Sequence, residues 1–147
     1  MAALSVKDVR VRLQTAIAAL SGWRVSRSVG DVFGLDPNTY AHQAFSVDAL
    51  STTDLGNSRQ NSAVLSEGAR CSSELRVRWS YRLKPKAQSD SLNSAYDAEA
   101  LVRVAAMGVS RANLHLRYLS AQRTIESRGE WLIGDLRFQA IHNLNLE

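Results

Sequence analysis

Residues 74 to 83 alternate without a break: Leu75, Val77, Trp79, Tyr81 and Leu83 interleave with Glu74, Arg76, Arg78, Ser80 and Arg82. Successive side chains of a β-strand point to opposite faces, so this stretch reads as a strand with one face in a core and one basic face left over. Residues 130 to 146 repeat the pattern, with Leu132, Leu136, Phe138, Ala140, Leu144 and Leu146 on one parity and Arg137, Gln139, Asn143 and Asn145 on the other. Two long strands that each bury a single face call for an antiparallel sheet with something apolar laid against it.

The covering elements are legible as helices. Over residues 5 to 21, Val6, Val9, Leu13, Ile17 and Leu20 recur at three- and four-residue spacing, while Lys7, Asp8, Arg10 and Arg12 fall elsewhere. That is the stripe of an amphipathic helix, with Ser5 and Asp8 spaced as an N-terminal cap and Gly22 as a stop. A second helix is expected over 93 to 107, capped by Ser94 and Asp97, with Ala98, Leu101, Val102 and Ala105 on its inner side and a turn through Ser89 to Asn93 before it. Trp23 and Val25 open a short extended segment, Tyr40 to Leu50 read as a strand, and Leu114, Leu116 and Tyr118 alternate with His115 and Arg117 as another. Between the strands, residues 51 to 73 are small and polar, which predicts a flexible arm longer than ordinary hairpin loops. Lys84-Pro85-Lys86 ends the pairing of the 74 to 83 strand, because proline has no N–H for a ladder. The expected class is α+β: a mainly antiparallel sheet, two helices packed on one face, a long inter-strand arm, all in a single domain over 1–147.

Composition narrows the function classes. A chain of 147 residues with 45% hydrophobic content builds one core of ordinary size. With no run of about 18 apolar residues and no basic region leading into an apolar core, neither a membrane span nor a secretory signal is expected. Cys71, the single cysteine, excludes an internal disulfide, and its Ser-rich surroundings predict an incidental thiol in a loop. His42, His115 and His142 form no HxH or HExxH spacing; His142 lies on the apolar parity of its strand, the place for a partly buried imidazole bonded to a backbone group. No phosphate-loop, dinucleotide or nucleophile-elbow motif occurs, so no catalytic residue, cofactor or metal is assigned. The net charge of +4 permits an acidic partner without requiring one. Arg76, Arg78 and Arg82 on one strand face suggest either phosphate contacts or a subunit-facing row, and Trp79 and Tyr81 point to the opposite face, away from any base they would have to stack on.

In order and spacing these segments resemble the tail terminator (tail completion) proteins of long-tailed bacteriophages. The resemblance rests on the Val9 to Leu20 helix, the Tyr40 to Leu50 strand, the Glu74 to Leu83 strand reached through a polar arm, the Ser94 to Met107 helix, and Arg123-Thr124-Ile125-Glu126 leading through Glu130-Trp131-Leu132 into the terminal strand. It implies a non-enzymatic virion protein, assembled in host cytoplasm. Such a protein forms a homohexameric ring at the head-proximal end of the tail tube, stopping tube polymerisation and offering a head-joining surface. The implied partners are other copies of the chain, the major tail tube protein, the head-tail connector and genomic DNA passing through the lumen, with no membrane and no cofactor. Candidate interface residues are Arg59, Gln60 and Asn61 in the arm with Arg70, Arg76, Arg78 and Arg82 on the strand. A connector or minor tail protein, a basic nucleic-acid-binding module and a motif-poor enzyme remain as alternatives at this level.

Overall fold

The computed structural model describes residues 5–25, 41–55, 69–110, 114–126 and 129–144. In chain order the elements are α1 (Val6–Ala18), β1 (Arg24–Val25), β2 (Ala44–Leu55), β3 (Ala69–Arg82), a single 3-10 turn (Pro85–Ala87), α2 (Gln88–Met107), β4 (Leu114–Glu126) and β5 (Trp131–Leu144). The strands form one sheet in the order β1-β2-β3-β5-β4. Every pairing is antiparallel except that of β1, which lies parallel to the start of β2 with Arg24 opposite Ala44.

The alternation at 74 to 83 does what strand geometry requires. Leu75, Val77 and Trp79 are fully buried, and across the ladder they face Phe138, Leu136 and Gly134 of β5. Val9, Leu13 and Ile17 of α1 and Ala95, Val102 and Ala106 of α2 close over them in one continuous core, so both helices lie on the same face of the sheet. Burying a Leu or Val side chain contributes roughly 1.5–3 kcal/mol, and this face is where that stabilisation is concentrated. Helix α1 begins as the sequence predicts: Ser5 Oγ accepts from the Asp8 N–H and the Asp8 carboxylate accepts from the Ser5 N–H, a complete capping box. The backbone and hydroxyl hydrogen bonds from Ser5 hold the Asp8 carboxyl below its ordinary pKa.

Several expectations are corrected. Helix α2 starts at Gln88, so the residues expected to form a turn, Ser89 to Asn93, are helical, and Ser94 and Asp97 lie inside the helix instead of capping it. Its buried stripe is Ala95, Ala98, Glu99, Val102 and Ala106, while Leu101 is 57% exposed. The phase differs because Glu99, a residue that patterning reads as outward, is drawn in by an arginine of β4. Strands β2 and β3 are longer than expected: of the arm at 51 to 73, residues 51–55 and 69–73 are paired strand, and the rest, including Arg59, Gln60 and Asn61, lies outside the described residues. Polar side chains there hide the alternation yet bond across the ladder, as in Thr52 Oγ1 to Ser73 Oγ at 2.9 Å and Gln139 Nε2 to Ser72 Oγ at 2.7 Å. Cys71 is therefore a buried strand residue instead of a loop thiol, and it forms no disulfide.

His142 is buried more deeply than its parity predicted, at 1% exposure, and one ring nitrogen, Nε2, sits 2.8 Å from Ser73 Oγ. Removing one partner of a buried hydrogen bond costs the desolvation of the other. Ser73→Ala is expected to lower stability by about 2 kcal/mol, read as a lower urea midpoint, while the conservative Ser73→Thr retains the hydroxyl and most of the stability.

Candidate assembly surfaces

The face of the sheet opposite the helices carries the arginines. Arg76 and Arg78 alternate outward from β3 as expected, but each is met by a carboxylate of a neighbouring strand. Arg76 Nη2 donates to Asp48 Oδ2 of β2 at 2.7 Å, and Arg78 Nε donates to Asp135 Oδ1 of β5 at 3.2 Å. Arg137 of β5 reaches Glu74 Oε2 of β3 at 3.4 Å. The basic row read from one strand is thus one half of a cross-strand ladder of opposite charges. These pairs are part-buried, and they offset a like-charge contact that the register imposes: Arg76 lies directly opposite Arg137, and each of the two has its own carboxylate, Asp48 and Glu74. Arg70 and Arg82 are exposed at the two ends of β3. The four described interface candidates therefore lie on one face, two neutralised at its middle and two at its ends.

Beyond the two residues of β1 that pair with its start, β2 is an edge of the sheet, as β4 is on the other side, and the two share a design. In β2 the register shifts between Ala49 and Ser51, and in β4 between Tyr118 and Ser120. The extra residue at each bulge is an exposed leucine, Leu50 at 37% and Leu119 at 41%. Ahead of each bulge a side chain covers the backbone: Arg10 Nε donates to the Val47 carbonyl at 2.6 Å, and Ser110 Oγ accepts from the Leu116 N–H at 3.0 Å. Past the bulges the strands run on exposed, to Thr53 and to Glu126, and Ile125 is 48% exposed. Edges of this kind are templates for another chain unless blocked; among the described residues the side-chain contacts to the edge backbone fall in the first part of each strand.

On the helix side, α2 and β4 are joined by Arg123, whose guanidinium makes two hydrogen bonds to the Glu99 carboxylate, Nε to Oε2 at 2.8 Å and Nη2 to Oε1. Those bonds raise the Arg123 pKa above its ordinary value against the opposing effect of burial. Arg103 lies over the Tyr118 ring at 3.7 Å. A shallow groove of about 660 Å³ runs between the helices past Val11, Ala16, Val104 and Val109.

At the end of the sheet where β3 leaves, a pocket of about 730 Å³ is lined by His42, Arg82, Leu83, Lys84 and Lys86. His42 Nδ1 accepts from the Arg82 backbone N–H at 3.1 Å, and its ring meets Tyr81 edge-on, centroids 4.4 Å apart. Partial burial, then the charges of Arg24 and Arg82, hold the His42 pKa below its ordinary value. The unfolded chain takes up that proton first, so this group withdraws stability as pH falls through about 6.5. Sequence reasoning missed this site, because residues 42 and 82 to 86 meet only through the pairing of β2 with β3.

Among the described residues no three His, Cys, Asp or Glu side chains gather where they could hold a metal ion, and no helix is long and apolar enough to cross a membrane. No protein-family model matches the chain, and no curated protein sequence matches it. A solved structure does. Over 91% of this chain and 93% of the other, the fold superposes on a chain from the virion of the native gene transfer agent (GTA) particle, with a TM-score of 0.51 and 13% sequence identity. This fold occurs in a virion. At that identity the likeness is one of architecture, spanning both chains nearly end to end.

Proposed function

We propose that this protein is a structural component of a phage-like virion, and that it forms the ring closing the head-proximal end of a tail tube. The observation that carries the reading is the nearly full-length fold likeness to a chain of a gene transfer agent virion, which agrees with the order of helices and strands that resembles tail terminators. In this role the protein halts tube polymerisation, joins tube to head connector, lets DNA pass, and acts by contact instead of catalysis.

The two open edges supply a ring interface. β2 is antiparallel to β3, β3 to β5 and β5 to β4, so β4 of one copy beside β2 of the next continues the same antiparallel alternation. Such a contact is heterologous, pairing different patches on each copy, and it closes into a ring when the rotation permits. The open part of β4 lies toward the Arg82 end of the sheet and that of β2 toward the Arg70 end, so successive copies are staggered. Stagger with strand tilt is what closing a sheet upon itself demands. Arg70 and Arg82, with Arg59, Gln60 and Asn61 of the expected arm, are proposed to contact the adjoining copy or the tube, and the neutralised Arg76 and Arg78 to lie on the sheet face turned toward a partner.

Light scattering behind a sizing column, with and without tail tube protein, tests this. A closed homohexamer, or a monomer driven to that ring by the tube, is the expected result. Leu50→Asp and Leu119→Asp are each expected to keep the circular dichroism of the parent while shifting the mass to monomer. A parent chain that stays monomeric with the tube present overturns the ring reading, and variants that still form rings overturn the edge contact.

A further inference from the structure

The pocket at the end of β3 has a mainly apolar surface and is lined by three cationic residues and a histidine. Arg82, Lys84 and Lys86 contribute cations, and His42, whose Nδ1 is already engaged by the Arg82 N–H, has its Nε2 left to donate in the neutral ring. Among the described residues no carboxylate forms an ion pair with Arg82, Lys84, Lys86 or the nearby Arg24, whereas Arg76, Arg78, Arg123 and Arg137 each have one. The wall is set in place before any ligand arrives. The Leu83 N–H donates to the Glu130 carbonyl at 2.7 Å, the Lys84 N–H donates to Ser91 Oγ at 3.0 Å, and Leu83 itself is buried. Holding the backbone fixed leaves only the side chains to be ordered on binding.

We propose that this pocket is a docking site for an acidic segment of a protein partner, an extended peptide whose Asp or Glu carboxylates enter between Arg82, Lys84 and Lys86. A nucleic-acid backbone is the less fitting occupant. Binding a duplex rests on several phosphates neutralised along a track, and Arg78 and Arg76, the next arginines along β3 from the pocket, are already held by carboxylates of the same chain, so among the described residues the unpaired cations do not run on directly from the pocket along that strand. A local concave cluster of three cations over the buried Leu83 and beside the His42–Tyr81 pair suits one or two carboxylates on a peptide that also covers apolar surface. The site shares Arg82 with the ring or tube contact proposed above, but Lys84 and Lys86 belong to the pocket alone, so a failure of peptide binding is distinguishable from a failure of ring closure.

His42 is the reporter. In the full-length chain its ring resonances are followed by NMR as hexaglutamate, inorganic phosphate or a short DNA duplex is added. Hexaglutamate is expected to shift the His42 signals saturably and to move its titration to higher pH, since a bound anion opposes the lowering imposed by partial burial and then by Arg24 and Arg82, while the ring signals of the two other histidines stay in place. The double variant Lys84→Gln/Lys86→Gln is expected to weaken that binding by about tenfold or more, on the scale of lost charge-assisted contacts, while Lys7→Gln leaves it unaltered. Phosphate is expected to act only at far higher concentration than the peptide. An absent or unsaturable response to hexaglutamate overturns the proposal, as does equal binding by the double variant. A duplex or free phosphate that shifts His42 at lower concentration than the peptide also overturns it, and assigns the pocket to phosphate.

Discussion

Gly134→Ala is expected to destabilise the protein by about 3 kcal/mol or more, lowering Tm by about 10 °C. Gly134 lies on the core parity of β5, directly across the ladder from Trp79. A Cβ at that position would occupy the space of the indole, overlapping Cε2, Cζ2 and Nε1. Trp79 cannot move aside: it is fully buried, with Trp23 packed edge-on against it at 6.3 Å. The effect is steric and does not reflect backbone preference, since alanine is otherwise acceptable in a strand. Trp79→Leu is also destabilising alone, yet it empties the space Cβ would take, so the two changes together are expected to cost less than their sum. A thermal double-mutant cycle measures this; strict additivity would mean that the indole contact is not the cause.

Arg123→Met is expected to cost about 2 kcal/mol, below the range for fully buried pairs because Arg123 is itself 40% exposed. The loss comes chiefly from Glu99, which is 7% exposed and would be left as a buried carboxylate without its two hydrogen bonds. Replacing both, Glu99→Leu with Arg123→Met, removes the stranded charge and is expected to recover stability close to that of the parent. Chemical denaturation of the two single variants and the double variant reads the coupling. If the double variant is as unstable as Arg123→Met, the pair contributes more than mutual charge compensation.

How far the sequence disclosed the fold depended on whether an element's partners were visible along the chain. Strand β3 from Glu74 to Arg82 was legible because its core positions are apolar and its outward positions polar, and β5 because Leu132, Leu136, Phe138 and Ala140 share one parity even though Ile133 and Ile141 face the other way. Helix α1 was legible from its stripe and cap together. Helix α2 was misjudged at its start because Ser89 to Asn93 resemble a turn, and in its phase because Glu99 is buried by an arginine 24 residues further along. The extension of β2 and β3 into the Ser- and Thr-rich segment was hidden because hydroxyls there satisfy one another across the ladder, and local polarity does not reveal that. The arginine-bearing sheet face was half legible: Arg78 was seen, but its carboxylate is 57 residues distant, so a compensated ladder looked like a basic row. Gly134 gave a faint signal, as a glycine inside a strand pattern often marks a close approach. The pocket gave none.

β3 has a mechanical consequence. It is paired on both flanks, and its ladder with β5 runs without interruption from Ala69 opposite Leu144 to Arg82 opposite Trp131, a length of about 45 Å at the usual rise per residue. The irregularities of the sheet fall in β2 and β4, leaving β3 and β5 joined by one unbroken ladder. A load on the Arg70 end therefore travels along bonded strands to the Arg82 end with little slack, and bodies docked at those ends are kept at a set separation. Inserting one residue in this span would reverse the facing of every side chain beyond it, so the spacing cannot drift by small steps without losing the core.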